Sequence, residues 1–184
     1  CIKIKRFKSN SMKKLIFAVI FSLSYIFAQA LDLSLGGMTY TLNTETKEAT
    51  LIICFNNNPQ VVHIPATIEH KGETYTVVAI GDYCFYNKST ITAVDFDEAS
   101  QIRSIGKKSF MNCNKIESLD LPDEVTTLGS YSFASCSSLT TLELPAKLET
   151  MAEGSFSECT SLTEVSIPAQ VSTIGKDCFT GCSA

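Results

Sequence analysis

The chain has 184 residues, 45% of them hydrophobic and 18% charged, which suits one folded domain and is too apolar for a disordered chain. Lys3, Lys5, Arg6, Lys8, Lys13 and Lys14 precede residue 31 with no acid among them. The rest therefore carries 9 basic against 19 acidic residues, a net of −10. Nucleic acid and anionic membranes, both polyanions, are excluded as partners bound by bulk charge.

Residues 1–11 lack an initiator Met and read as an upstream segment outside the native protein. Residues 12–30 read as a signal peptide: Met12-Lys13-Lys14 is a basic start, Leu15 to Phe27 an apolar core, and Ala28-Gln29-Ala30 a small-residue cleavage site. An apolar run of roughly 13 residues falls short of the roughly 20 that span a bilayer. Export with cleavage after Ala30 is expected, with no transmembrane span in the mature chain.

Residues 31–60 read as an N-terminal cap. Met38, Tyr40 and Leu42 alternate on one arm and Ala49, Leu51 and Ile53 on the other, around a polar loop from Asn43 to Glu48, which predicts a β-hairpin. Val62-His63-Ile64-Pro65 then opens the first of a series of coils that fill 61–184. That coil is lengthened by an insertion from Glu69 to Thr76, with Lys71-Gly72 as its turn, and a hairpin-like protrusion is expected there.

From Ile105 onward the sequence repeats every 23 residues. Ile105, Leu128, Met151 and Ile174 align, as do Phe110, Phe133, Phe156 and Phe179, and Cys113, Cys136, Cys159 and Cys182. Between these columns run apolar triplets closed by proline, such as Leu139, Leu142, Leu144 and Pro145. A period of that length with an LxxLxL core predicts a leucine-rich solenoid, whose coils bury their apolar sides only by stacking. The coil from Ile80 departs twice: Lys88 stands where the Cys should be, and Asp97 to Gln101 replaces the Pro turn with two extra residues. The chain stops at Ala184 where the next Leu is due, so the repeats are expected to be truncated at the C-terminus.

Within a coil, Leu142 and Leu144 point inward while Thr141 and Glu143 point outward, the period of a half-buried strand, and proline ends that strand by removing a ladder donor. Gly81, Gly106, Gly129 and Gly175 mark corners that need either a positive φ or a close backbone contact. Ala152 at the same corner shows that positive φ is not required in every coil. The stretch after each corner, such as Gly154 to Cys159, predicts one helical turn, with Phe156 and Cys159 three apart on one side. The expected fold is an α/β leucine-rich-repeat solenoid, short strands plus one helical turn per 23-residue coil, with an N-terminal β-hairpin cap.

The Phe, Cys and Pro columns resemble the BspA-type leucine-rich repeats of bacterial and protist surface proteins. The motifs that carry the resemblance are Ile105-Gly106 with Phe110 and Cys113, Leu128-Gly129 with Phe133 and Cys136, and Leu139-Thr140-Thr141-Leu142-Glu143-Leu144-Pro145. The resemblance covers about Val62 to the end. It implies an extracellular or cell-surface module for adhesion and protein contact, with no catalytic residues to carry over.

Eight cysteines in an exported chain invite a disulfide framework, but a Cys at one place in successive coils points into the core and behaves there as a small hydrophobe. Free buried thiols are expected, with cross-coil disulfides or a metal as alternatives, and a Cys54–Cys84 pair is left open. Cys178 and Cys182 form a lone CxxxC that lacks the further ligands zinc needs. His63 and His70 are the only histidines and neither sits near a nucleophile turn, so no catalytic site, cofactor or metal is expected.

The candidate partner-binding residues are His63, Asp95, Asp120, Glu143 and Glu164. Stacking the coils sets His63, Asp95, Asp120, Glu143 and Ser166 in one outward line, flanked by Ala93, Ser118, Thr141 and Glu164. Either the face is merely solvated, or it meets a basic patch or a divalent cation; a Thr/Ser face at Thr126, Thr127, Thr150, Ser172 and Thr173 is the next candidate. The leading function is a non-catalytic secreted or cell-surface module that binds a protein or glycan on a host cell, the matrix or a neighbouring microbe. The alternatives are a structural spacer and the repeat arm of a larger surface hydrolase.

Overall fold

The computed structural model describes residues 30–54 and 59–183. The upstream segment, the signal peptide apart from Ala30, and the Asn56-Asn57-Asn58 break lie outside these residues. Three strands open the fold: β1 (Ala30–Leu35), β2 (Met38–Asn43) and β3 (Glu48–Cys54), joined antiparallel in order. The hairpin expected at the N-terminus is thus the β2–β3 pair, extended by β1 on its outer side. Tyr40, Leu42, Ala49 and Leu51 are buried beneath it.

Next come β4 (Val61–Ile64), β5 (Thr67–His70) and β6 (Glu73–Ile80). β5 and β6 pair antiparallel across Lys71-Gly72, both at positive φ, the conformation a two-residue hairpin turn requires. The 69–76 insertion thus forms the hairpin expected, but with Ile68 and Tyr75 buried in the core and both strands part of the main sheet it does not stand off the solenoid as a protrusion. β6 also pairs in parallel with β3 on one side, welding the cap to the solenoid.

The remaining strands are short: β7 (Ala93–Phe96), β8 (Ser104–Ile105), β9 (Ser118–Asp120), β10 (Thr127–Leu128), β11 (Thr141–Glu143), β12 (Thr150–Met151) and β13 (Thr173–Ile174). One parallel ladder runs without a break through β6, β8, β10, β12 and β13. The other face is in pieces: β4 pairs with β7, β9 pairs with β11, and residues 164–166 form no strand. The continuous sheet of the solenoid is therefore the one built from two-residue strands at the corners, not the LxxLxL strands that dominate the sequence pattern.

The expected helical turn is not formed, and the described residues contain no helix. A helix would aim each N–H at a carbonyl of its own turn, whereas here every second N–H leaves the coil. Lys108, Phe110 and Asn112 donate to the carbonyls of Ser130, Ser132 and Ala134 in the next coil at 2.8–2.9 Å, and Tyr131, Phe133 and Ser135 repeat the pattern one coil later. Positive φ at Lys108 and Asn112, at Tyr131 and Ser135, and at Gly154 and Glu158 turns those groups outward. The result is a run of tight turns, with the intervening N–H groups of Met111 and Cys113 bonded back to Lys108 and Phe110.

Phe85, Phe110, Phe133, Phe156 and Phe179 stack along the axis, with centroids 4.7–5.6 Å apart and rings within 12° of parallel. The first four are fully buried. Beside them, the thiols of Cys113, Cys136, Cys159 and Cys182 each donate to the carbonyl of Phe85, Phe110, Phe133 and Phe156 in the preceding coil, at 3.2–3.4 Å. The cysteine column is thus filled by a small group that both packs and satisfies a core carbonyl. The seven cysteines described are free, Cys54 and Cys84 included. Burial pushes the Cys113 and Cys159 thiols up to about 12 and Cys136 well above the ordinary value.

At the corners the close contact, not φ, selects glycine. A Cβ on Gly106 would lie 2.6 Å from the Gly81 carbonyl carbon, and one on Gly129 would lie 2.7 Å from that of Gly106.

Two outcomes test this packing. Phe133→Ala should cost about 3–5 kcal/mol in equilibrium denaturation, as for other buried Phe truncations; a loss below about 1 kcal/mol would contradict the stack. A thiol-specific reagent applied to the native protein should leave Cys113, Cys136 and Cys159 unlabelled until denaturant is added, because each thiol is buried and held protonated.

Candidate functional site

The outward line predicted from the sequence resolves into two in-register pairs. On β4 and β7, Val61, Val62, His63 and Ile64 face Ala93, Val94, Asp95 and Phe96. Val62 and Ile64 are buried while His63 and Asp95 are exposed, so strand alternation puts the latter two side by side on the surface. On β9 and β11, Asp120 faces Glu143, and Ser118 faces Thr141. Glu164 is exposed but lies in no strand, one coil beyond Thr141.

Between the two pairs β7 and β9 are neighbours without a hydrogen-bonded register. The line of acids is therefore interrupted at the two-residue insertion that follows β7. Asp95 is not a bare acid either: His63 Nδ1 lies 2.9 Å from Asp95 Oδ2, and His63 Nε2 lies 3.1 Å from Asp97 Oδ1. Asp97 was not among the residues the sequence singled out, since it sits in the irregular turn where column alignment fails. Its other oxygen accepts the Ala66 N–H at 2.8 Å, which fixes the turn of one coil onto the next. The hydrogen bond that Asp95 accepts from His63, with the charges of Asp97 and Asp95, holds the His63 pKa above its ordinary value, against the opposing effect of desolvation.

Asp120 and Glu143 have no such relief. Like charges directly opposite on paired strands are unfavourable by a few tenths of a kcal/mol or more, so this pair is tolerated as a solvated or cation-facing surface. Glu124, in the turn after Pro122, is bound by Lys147 of the next coil.

The Thr/Ser candidate face lies on the continuous ladder. Thr127, Thr150 and Thr173 are in register with one another and with Ser104. The adjacent hydroxyls of Thr126 and Ser172 are already used, donating to the carbonyls of Arg103 and Glu149 in the preceding coils. What sets the acidic face apart is that Asp120 and Glu143 carry like charges directly opposite each other.

Among the described residues no group of three or more His, Cys, Asp or Glu side chains could hold a metal ion. None of their elements is a helix long and apolar enough to cross a membrane.

A sequence profile described as "BspA type Leucine rich repeat region" matches residues 78–184 in six copies. No curated protein matches the sequence. Among solved structures, the leucine-rich repeat protein of T. pallidum aligns at 24% identity with a TM-score of 0.73, covering 83% of this chain and 68% of that one. A leucine-rich cell surface protein from Faecalibacterium prausnitzii aligns at 24% identity and a TM-score of 0.50, over 83% of this chain and 52% of that one. The pneumococcal vaccine antigen PcpA aligns at 18% identity and a TM-score of 0.58, over 83% of this chain and 48% of that one. At these identities the likeness is one of fold, and the chain spans about half the length of the latter two.

The His63 cluster generates a pH prediction. Its folded pKa is raised above the unfolded value of about 6.5, so the stability it contributes is fully present below about pH 6.5 and is lost as pH rises through the folded pKa. His63→Gln should therefore lower the melting temperature at pH 5.5 and leave it unchanged at pH 9. By NMR, the His63 ring should titrate above 6.5 in the parent and nearer to it in Asp95→Asn; a ring that titrates below 6.5 would contradict the geometry.

Proposed function

The chain belongs to the BspA-type leucine-rich repeat family, and from that premise we propose that it is a secreted or cell-surface binding module, without catalytic chemistry of its own, that adheres through its acidic strand face. The reading is carried by one observation: Asp120 and Glu143 stand exposed and opposite each other with no basic partner among the described residues. A fold that tolerates a like-charge pair at the end of a two-stranded ladder gains most when that pair meets a cationic surface. His63 and Asp95 continue the face on one side and Glu164 on the other.

The partner class is a protein with a basic patch on a host cell, in the matrix or on a neighbouring microbe. Charge complementarity of this kind speeds encounter and selects partners more than it adds raw affinity, and it is screened by salt. Support for the location comes from the signal-peptide pattern of residues 12–30, together with the similar folds of a protein described as a cell surface protein and another described as a vaccine antigen.

The test is adhesion of the protein to cultured epithelial cells and to a cell-derived matrix coating, at increasing salt. The parent should bind and lose binding steeply between about 50 and 300 mM salt, over which the Debye length shortens from roughly 14 to 6 Å. Asp95→Asn/Asp120→Asn/Glu143→Gln should abolish attachment while leaving thermal stability equal or slightly higher at pH 9, where the contribution of the His63–Asp95 contact is lost. A triple variant that adheres as well as the parent would reject the acidic face as the adhesive surface.

A further inference from the structure

β1 forms one end of the continuous sheet, paired with β2 on one side and with no described strand on the other. Its sequence, Ala-Leu-Asp-Leu-Ser-Leu, alternates strictly. Leu31, Leu33 and Leu35 stand opposite Leu42, Tyr40 and Met38, so they share the face that β2 turns to the core. Only Leu33 packs against that core, while Leu31 is 38% and Leu35 47% exposed. Asp32 and Ser34 lie on the opposite face, bonded to Thr41 and Thr39.

The turn decides where the backbone groups of β1 point. Gly36 and Gly37, both at positive φ, form a two-residue hairpin loop, and the residues flanking such a loop, Leu35 and Met38, exchange both backbone hydrogen bonds. Alternation gives Leu33–Tyr40 and Leu31–Leu42 the same role and sends the N–H and C=O of Asp32 and Ser34 to the outer edge. There neither backbone finds a partner among the described residues. Edge strands are ordinarily blunted by lysine, proline, a bulge or a covering element. β1 has no lysine, proline or bulge, and its one charge is Asp32.

We propose that a second copy of this chain pairs with that edge, β1 against β1, antiparallel about a two-fold axis through Leu33. Self-complementarity singles out this occupant. In that register Leu33 meets its own copy, Leu31 meets Leu35, and Asp32 meets Ser34. The leucine contacts all fall at sites without mutual hydrogen bonds, where side chains come closest, and the outward groups of Asp32 and Ser34 bond each other. Each carboxylate then faces a hydroxyl. Moving the two-fold to Asp32 would set two carboxylates opposite each other, and moving it to Ser34 would leave Leu31 opposite no residue of β1. The pairing uses residues 31–35, so it survives cleavage after Ala30. Such an isologous contact closes at a dimer. Five residue pairs span about 17 Å, a small interface that suits micromolar affinity. The dimer goes beyond the acidic-face reading and does not depend on it.

The experiment follows the full chain by analytical ultracentrifugation from about 1 to 200 μM, with amide hydrogen exchange at both ends of that range. The monomer should give way to a dimer as concentration rises. With it the Asp32 and Ser34 amides should gain protection, while that of Leu33, held by Tyr40, should not change. Leu31→Lys/Leu35→Lys sets like charges against each other twice and should weaken the dimer at least tenfold. Leu31→Lys/Leu35→Glu sets opposite charges against each other and should dimerise within a few-fold of the parent. Both positions are exposed, and an unchanged exchange pattern in β3 and β6 shows that the variants keep their fold. A parent that stays monomeric would overturn the dimer. Freely exchanging Asp32 and Ser34 amides would then leave the edge to a different protein, and amides protected at every concentration would assign it to the chain's own residues 1–29. Equal self-association of parent and both variants would place the contact elsewhere, and a monomeric Leu31→Lys/Leu35→Glu would overturn the register.

Discussion

Every coil of this molecule depends on a hydrogen bond that leaves it. In the turns after each corner, alternate N–H groups point along the solenoid axis and are satisfied only by the next coil, as Phe110 is by Ser132 and Phe133 by Ser155. A single coil would expose these donors to water and its Phe to solvent, so it has no stable fold alone. Stacking fixes the coil spacing, and the spacing is read out by the phenylalanine rings at 4.7–5.6 Å. The thiol column follows from the same constraint: at that distance a Cys Sγ reaches the preceding Phe carbonyl, while a larger side chain would press into the ring stack. Lys88, at the coil where the column begins, sits before the first such contact, so its departure from Cys leaves no carbonyl of this series unserved.

The axis, the coil boundaries and the buried columns were legible in the sequence because a solenoid prints its period directly. The turn conformation was not. Phe and Cys three apart fit a helical turn and a run of tight turns equally, and side-chain periodicity cannot distinguish them. The feature that decides is a positive φ at every fourth residue, and the chain places Lys108, Asn112, Tyr131 and Ser135 there as readily as Gly154. With so few glycines at these positions, no local signal marks them. The intercoil hydrogen bonds repay the backbone strain, and such bonds appear only once the coils are stacked.

The same limit explains which parts of the site were visible. His63, Asp95, Asp120 and Glu143 fall in regular strand columns, and alignment alone puts them on one face in the correct pairings. Asp97 and Ser100 lie in the insertion, where the 23-residue register is lost, so nothing in the pattern says that one reaches His63 or that the other is buried. The corner sheet was underrated for a related reason. Its strands contribute only two residues each, too short for alternation to register, yet it is the one ladder that runs unbroken from the cap to β13.

This division has a consequence for how a solenoid acquires specificity. The inward columns are fixed by stacking, so Phe, Cys and the apolar triplet have almost no freedom to change. The outward columns touch no neighbour in the core and can carry any charge the ladder will tolerate. Irregular turns are freer still, because an insertion there bulges outward without shifting the rungs on either side. In this chain the two extra residues within Asp97 to Gln101 coincide with the break between β7 and β9 and with a carboxylate, Asp97, that reaches across to His63 and to the Ala66 N–H. The 69–76 insertion closes its backbone through its own β5–β6 ladder, although His70 Nε2 stays buried without a partner among the described residues. The insertion at 97–101 instead ties coils together, Asp97 holding both His63 and the Ala66 N–H, so a turn that changes length without moving a rung can still set which side chains meet on the outer face.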